Sequence, residues 1–157
     1  MMLKLKSSRL LALVIALAIT LISLTACGGT DNSGKTGSIR FVIFDESAVE
    51  YTVDLSLLGE GDGVIPALDY LKENRGVDYT VTDGGYGAYL TSLGTLRESV
   101  AEGKYLYVYT SVESDFDVSA YAMTVEYDGL TLTSSGVGIS EMSLTDGAVI
   151  YVTYIIY

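Results

Sequence analysis

Through most of the chain, apolar and polar residues alternate with the two-residue period of β-strands, and the pattern breaks once into a helical period. Residues 40–44 and 51–55 are rich in Val, Ile, Phe, Tyr and Thr and flank the polar Asp45-Glu46-Ser47, which predicts a first hairpin. Val64, Ile65, Leu68 and Leu71 then fall on one face of a helix. Asp62 and Gly63 suit its entry, and Pro66 is tolerable because it lies in the first turn. Lys72 and Arg75 complement the dipole at the far end, and Gly76 can take the left-handed cap.

Strands resume after the helix. Val77, Tyr79 and Val81 alternate with Asp78 and Thr80, residues 86–93 predict a further strand, and residues 105–112 place Tyr105, Tyr107 and Tyr109 on one face. Tyr121, Met123, Val125 and Tyr127 share a face as well. Asp128-Gly129 is a strong two-residue turn signal, because a type I′ turn needs positive φ at both central positions. The last strand, 148–157, follows Asp146-Gly147 and is apolar on both faces, which puts it in the middle of a sheet. A hairpin, one helix and then several strands define an α+β class. The expected arrangement is β-grasp-like, a mostly antiparallel sheet with one helix after the first hairpin.

The first 26 residues follow a different pattern. Lys4, Lys6 and Arg9 precede an apolar run from residue 10 to 24, too short for the ~20 residues of a membrane-spanning helix. This is the form of a secretory signal. It ends in Leu24-Thr25-Ala26-Cys27, which resembles a bacterial lipoprotein signal, in which the Cys is lipidated and becomes the new N-terminus. Cys27 is the only cysteine in the chain. Residues 28–38 contain no apolar residue and read as a Gly- and Ser-rich leash with a root-mean-square reach of about 18 Å. The expected domains are therefore 1–26 signal, 27–38 lipidated Cys and linker, and 39–157 folded. The expected location is the extracytoplasmic face of a bacterial membrane.

Charge and composition narrow the chemistry. The 157 residues carry 9 Lys+Arg against 20 Asp+Glu, a formal balance of -11. Loss of Lys4, Lys6 and Arg9 with the signal would bring it to -14. No basic cluster is available to displace counterions from a phosphate backbone, so no nucleic-acid partner is expected. With no His and one Cys, zinc sites and nucleophile–His dyads have no residues to build them. Nothing in the sequence marks a catalytic pair of carboxylates, and no enzymatic activity is expected.

A family resemblance emerges from five segments. These are Gly63-Val64-Ile65-Pro66-Ala67-Leu68, Gly85-Tyr86-Gly87-Ala88-Tyr89-Leu90-Thr91-Ser92-Leu93, Tyr105-Leu106-Tyr107-Val108-Tyr109, Ser135-Gly136-Val137 and Asp146-Gly147-Ala148-Val149-Ile150. Their order and spacing around one helix resemble the C-terminal β-domain of transcobalamin and intrinsic factor, and bacterial lipoproteins carrying that domain alone are similar. The resemblance spans residues 39–157. It implies a domain that binds cobalamin by laying loops and strand ends over one corrin face. Tyr86 with Gly87 would take the aromatic-Gly position and Tyr109 the aromatic strand position. Leu132 with Ser134, Ser135, Gly136 and Val137 would form the small-residue loop that approaches the ligand.

The residues themselves are compatible with that ligand. A corrin offers a broad, partly apolar face fringed by amides, which suits Tyr86, Tyr89 and Tyr109 together with the hydroxyls and backbone of Ser134-Ser135-Gly136. Each Tyr is equally a half-buried strand residue, and Gly84, Gly85 and Gly87 are either points of close ligand approach or turn residues. A second constellation is acidic. Asp115, Asp117, Ser119 and Glu126 echo the 1, 3, 5, 12 spacing of a calcium loop, but Ala120 stands where that loop needs Gly. A solvated acidic loop and a looser calcium site on Glu113, Asp115 and Asp117 both remain open.

These features lead to one functional expectation, a lipid-anchored protein that captures cobalamin or another corrinoid and passes it to a membrane importer. The alternative is a cell-surface module that binds a protein or glycan through a face rich in its 13 Tyr. The anchor is directly testable. Cys27→Ser should abolish membrane association, because a single apolar segment removed by processing leaves nothing else to hold the chain. Recovery of the processed variant in the membrane fraction would refute the lipid anchor.

Overall fold

The computed structural model describes residues 35–156. The signal segment, Cys27 and the first part of the linker lie outside the described residues. Nine strands and one α-helix form two sheets among them, an α+β fold with mostly antiparallel pairing. The first hairpin is β1 (Ser38–Phe44) and β2 (Ala48–Asp54), in the register Ile39↔Val53, Phe41↔Tyr51, Ile43↔Val49. A single 3-10 turn, Leu55–Leu57, follows, with the Asp54 carboxylate accepting from Ser56 N–H at 2.8 Å.

Helix α1 (Ile65–Arg75) has Pro66 in its first turn and ends at Gly76, whose φ of 69° is the left-handed cap expected from the sequence. Its entry differs from expectation. Neither Asp62 nor any other side chain caps it; the Val64 N–H instead donates to the Ile139 carbonyl at 2.8 Å. A loop 75 residues away in the chain therefore satisfies one of the N–H groups that a helix start leaves without an internal partner.

After the helix, β3 (Tyr79–Gly84), β4 (Gly87–Leu93) and the two-residue β5 (Leu96–Arg97) make the smaller sheet, in the order β3-β4-β5. The strand expected from Val77 begins only at Tyr79, because the Val77 N–H donates back to Leu71 and closes the helix end. The remaining strands are β6 (Lys104–Thr110), β7 (Thr124–Tyr127), β8 (Leu130–Ser134) and β9 (Val149–Ile156). They join the first hairpin in a six-stranded sheet ordered β2-β1-β9-β6-β8-β7. The pairing of β9 with β1 is parallel and that with β6 antiparallel, so the last strand is central, as its two apolar faces require.

The two faces of this sheet carry separate apolar clusters. Ile39, Phe41 and Ile43 of β1, Leu106 of β6, and Ile150 and Val152 of β9 pack with Val64, Ala67, Leu68 and Leu71 of α1 and Ala88, Leu90, Leu93 and Leu96 of the smaller sheet. On the opposite face, Val42, Tyr109, Leu132, Val149 and Tyr151 are buried together, with Phe44, Tyr107, Met123, Val125 and Tyr127 against them. Tyr151 is at the centre. Its ring lies 5.4 Å from Tyr127, 5.9 Å from Phe44 and 6.1 Å from Tyr109.

The cover over this second face is the β7–β8 hairpin. It pairs with β6 only at Tyr109↔Ser134 and Thr110↔Thr133, and the rest of it curls across the sheet. Its turn has φ of 50° at Asp128 and 75° at Gly129, both positive as the type I′ signal predicted. The curl brings this edge to the opposite one. Asp128 accepts from the Arg40 guanidinium at 2.7 Å, Tyr127 donates to Glu50 at 2.9 Å, and Arg40 lies 3.5 Å from Glu50. Of the residues expected to share a face here, Met123, Val125 and Tyr127 do so. Tyr121 lies outside any strand and is 85% exposed.

Two predictions follow from this architecture. Both apolar clusters lie wholly within residues 39–154, so a chain of residues 35–157 should fold on its own and unfold at the same temperature in chelator and reductant as in plain buffer. A large fall in chelator would expose a structural metal. The second concerns alkaline pH. Burial, and the hydrogen bond to Asp69 at 2.6 Å, push the Tyr79 phenol up to about 12 from 10.0. Burial also raises Tyr151 and Tyr127. A phenol whose folded-state pKa lies above its unfolded value stabilises fully below the unfolded value and loses that contribution as pH rises through the folded one. Stability should therefore fall between pH 10 and 12, less steeply in Tyr79→Phe. Denaturant unfolding at pH 9, 10.5 and 12 measures this, and identical slopes for the two chains would contradict it.

Candidate functional site

Three connections meet at one end of the domain: the β3–β4 turn, residues 111–123 after β6, and residues 135–148 between β8 and β9. The last of these lies between the other two. On one side, Gly138 N–H donates to the Tyr86 carbonyl at 2.8 Å and Ile139 N–H to the Ala88 carbonyl at 2.6 Å, while Ala88 N–H donates to Ser140 Oγ at 2.9 Å. The loop thus runs beside the start of β4 almost as a further strand. On the other side, Gly136 N–H donates to the Asp115 carbonyl at 2.9 Å and Asp117 N–H to the Ser134 carbonyl at 2.8 Å.

Both contacts require glycine. A Cβ on Gly138 would lie 2.6 to 2.7 Å from the Ala88 and Tyr86 carbonyl oxygens and the Gly87 carbonyl carbon. One on Gly136 would lie 2.9 Å from Asp117 Cα and 3.0 Å from the Phe116 carbonyl oxygen. These neighbours are backbone and cannot swing aside. The absence of side chains at 136 and 138 is therefore what lets the three loops close into one surface.

Asp115 fixes the same arrangement from below. It is buried, and its carboxylate accepts from Ser143 N–H at 2.6 Å, Ser143 Oγ at 2.9 Å and Ser114 Oγ at 2.9 Å. Losing the acceptor would leave these donors without a partner, at roughly 1–3 kcal/mol for each buried group left unsatisfied. The bonds also answer the acidic spacing noted in the sequence. Asp115 is used up by protein donors, Asp117 accepts from Ser119 N–H at 2.8 Å, and Glu126 sits on β7 and accepts from Thr131 Oγ1 at 2.6 Å. The four positions of the calcium-loop pattern do not converge on a common point. No group of three or more His, Cys, Asp or Glu with metal-holding geometry occurs among the described residues.

The residues singled out in the sequence divide into two sets. Tyr86, Gly87, Tyr89, Ser135, Gly136 and Val137 are brought together at the loop surface, with Tyr86 86% and Tyr89 47% exposed. Ser135 Oγ donates to the Val137 carbonyl at 2.8 Å and so shapes its own loop. Tyr109, Leu132 and Ser134 are buried beneath that surface. Strand alternation sends Tyr109 to the face that β7–β8 covers, where its ring meets Tyr107 at 5.7 Å as well as Tyr151. Ser134 Oγ accepts from Met123 N–H at 3.0 Å. These three support the loops and offer no exposed contact.

Two further residues belong with the exposed set. Val118 is 96% exposed and Tyr121 85%, on the loop that Gly136 touches at Asp117. With Tyr86 on the β3–β4 turn, Tyr89 at the start of β4 and Val137, they make up the candidate rim, five exposed apolar and aromatic residues on three segments joined through their backbones. In the sequence they looked like parts of an acidic loop and a strand. The available signal was that an apolar residue between Asp117 and Ser119 has no alternating partner to pack with. The rim can bind a broad, weakly polar surface by burial and by hydrogen bonds from hydroxyl and backbone groups; it assembles no nucleophile with a base.

No protein-family model matches the sequence, and no curated protein sequence matches it significantly. Solved structures are similar to it in varying degree. One is haptocorrin in complex with Cbi, with a TM-score of 0.53 and 13% identity over 77% of this chain and 25% of that one. Another is a "putative metal binding protein" from Ruminococcus gnavus ATCC 29149, with a TM-score of 0.47 and 10% identity over 78% of this chain and 98% of that one. The chain spans about a quarter of the haptocorrin chain, and at this identity the likeness is one of fold: residues 35–156 have a transcobalamin-like fold.

Proposed function

We propose that this protein captures cobalamin or another corrinoid at the extracytoplasmic face of a bacterial membrane. The ligand would lie against the rim of Tyr86, Tyr89, Val118, Tyr121 and Val137, and Cys27 would carry the lipid that holds the domain there. The observation that carries this reading is the meeting of the Tyr86-Gly87 turn with the 135–138 loop. Segments just over 50 residues apart, which the family resemblance assigns to one ligand surface, are joined by hydrogen bonds of 2.6 to 2.9 Å. The shared fold with haptocorrin, solved in complex with Cbi, supports the same ligand class.

The rim covers one side of a ligand only. A corrin seated on it keeps its other face free, which suits transfer to an importer that covers that face. Affinity would come from apolar and aromatic burial, with loop backbone setting orientation. No catalytic step is part of this reading.

Cyanocobalamin and Cbi titrated into residues 35–157, followed by absorbance and calorimetry, test it. Tyr86→Ala should weaken binding by roughly 1–3 kcal/mol, the range for an aromatic hot spot. Val100→Ala, exposed and on a different turn, should leave it unchanged. No Lys or His lies in the rim, so affinity should hold within about twofold from pH 6 to 8. No binding of either corrinoid at high micromolar protein would overturn a site on this domain alone and favour the protein- or glycan-binding alternative.

A further inference from the structure

At the opposite end of α1 lies a cleft of about 320 Å³ between the layers. Its floor is the end of the first hairpin, with Val49 and Tyr51, and its roof is the helix cap and β4–β5 turn, with Val77 and Thr95. Arg75 and Arg97 line it from the two sides. An 11-residue helix is about 16 Å long, so the cleft is well separated from the Tyr86 rim.

The charges around this cleft are unusual for so acidic a chain. Six basic residues follow Cys27: Lys35, Arg40, Lys72, Arg75, Arg97 and Lys104. Arg40, Lys72 and Lys104 each hold a carboxylate partner within 3.5 Å. The guanidinium groups of Arg75 and Arg97 form neither an ion pair nor a hydrogen bond among the described residues. Asp78 also lines the cleft, but Lys72 neutralises it at 3.5 Å. Asp45 stands near, accepting from Thr95 Oγ1 at 3.4 Å, and belongs to the field of Lys104. Arg75 alone would be explained by the helix dipole. Arg97, on β5, has no such role.

We propose that this cleft is a binding site for a small anionic amphiphile, a carboxylate or phosphate head on a compact apolar body. The two unpaired guanidinium groups would fork onto the head, and the body would lie on Val49, Tyr51 and Val77. Arg presents paired donors that match carboxylate and phosphate oxygens, and the volume falls at the lower end for small-molecule sites. The site does not depend on the corrinoid reading of the rim.

The test uses residues 35–157, which contain both apolar clusters whole, with octanoate, octyl phosphate and octanol as probes and backbone amide NMR as readout. Each anion should shift the Gly76, Val77, Gly94 and Thr95 signals saturably, and the tighter of the two identifies the head group. Octanol should bind at least tenfold more weakly. Arg97→Gln should weaken the anions at least tenfold with an unchanged thermal midpoint. Raising salt from 50 to 300 mM should weaken them severalfold in the unaltered chain, a readout that needs no variant. Octanol binding as well as the anions, salt-independent binding, or shifts at Gly87 and Gly138 in place of the cleft would each overturn the proposal.

Discussion

A single constraint organises this molecule: β9 is apolar on both faces and must be covered on both. Val149 and Tyr151 point one way and Ile150 and Val152 the other, and all four are at most 4% exposed. At roughly 25 cal/mol per Å² of apolar surface, leaving either face open would forfeit several kcal/mol, a large share of the net stability of a domain this size. The first cover is supplied by α1 and the smaller sheet. The second comes from the sheet itself, through the β7–β8 hairpin that curls back over Tyr151.

The loops at one end follow from those two covers. Because α1 and the smaller sheet lie on one face and the curled hairpin on the other, the connection from β8 to β9 passes between the two covers at the start of β9. There the 135–148 segment leaves the hairpin and returns to β9, passing the start of the helix on its way. Its bond to Val64 N–H shows how closely fold and site are shared: the same loop caps α1 through Ile139 and holds Tyr86 through Gly138. The rim residues join this bonding through their backbones only, and their exposed side chains carry little of the fold. Tyr109, Leu132 and Ser134 stand inside it.

Much of this was legible in the sequence, for identifiable reasons. The helix from Pro66 to its Gly76 cap, the Asp128-Gly129 turn and the central place of β9 are each set by local stereochemistry or by a hydrophobic period, and both survive folding unchanged. What was not legible depends on contacts distant in the chain. The helix N-terminus is capped by Ile139, a partner no local pattern announces. Asp115 reads as a calcium ligand by spacing and is a buried acceptor for Ser143, 28 residues on. Tyr109 alternates as a strand residue should, but which face is open depends on where β7–β8 comes to rest. The two residues missed from the rim, Val118 and Tyr121, lie on an irregular loop where no period applies.

The start of β1 lies at the same end of the domain as the candidate rim. β1 begins at Ser38, whose N–H donates to the Asp146 carboxylate at 2.9 Å and whose carbonyl accepts from Gly147 N–H at 2.8 Å. Ser38 thus joins the domain beside the start of β9, at the end where the 135–148 loop arrives. On the proposal that Cys27 carries a lipid, the attachment would come next to the candidate rim, with the Arg-lined cleft at the far end. On the same proposal, the chain without its first 26 residues would carry a formal charge of -14, which would repel the domain from anionic headgroups and keep an aromatic rim from settling onto the bilayer. A ligand bound there by one face would sit close to the membrane with its other face open, the geometry that a hand-over to a membrane-embedded partner demands.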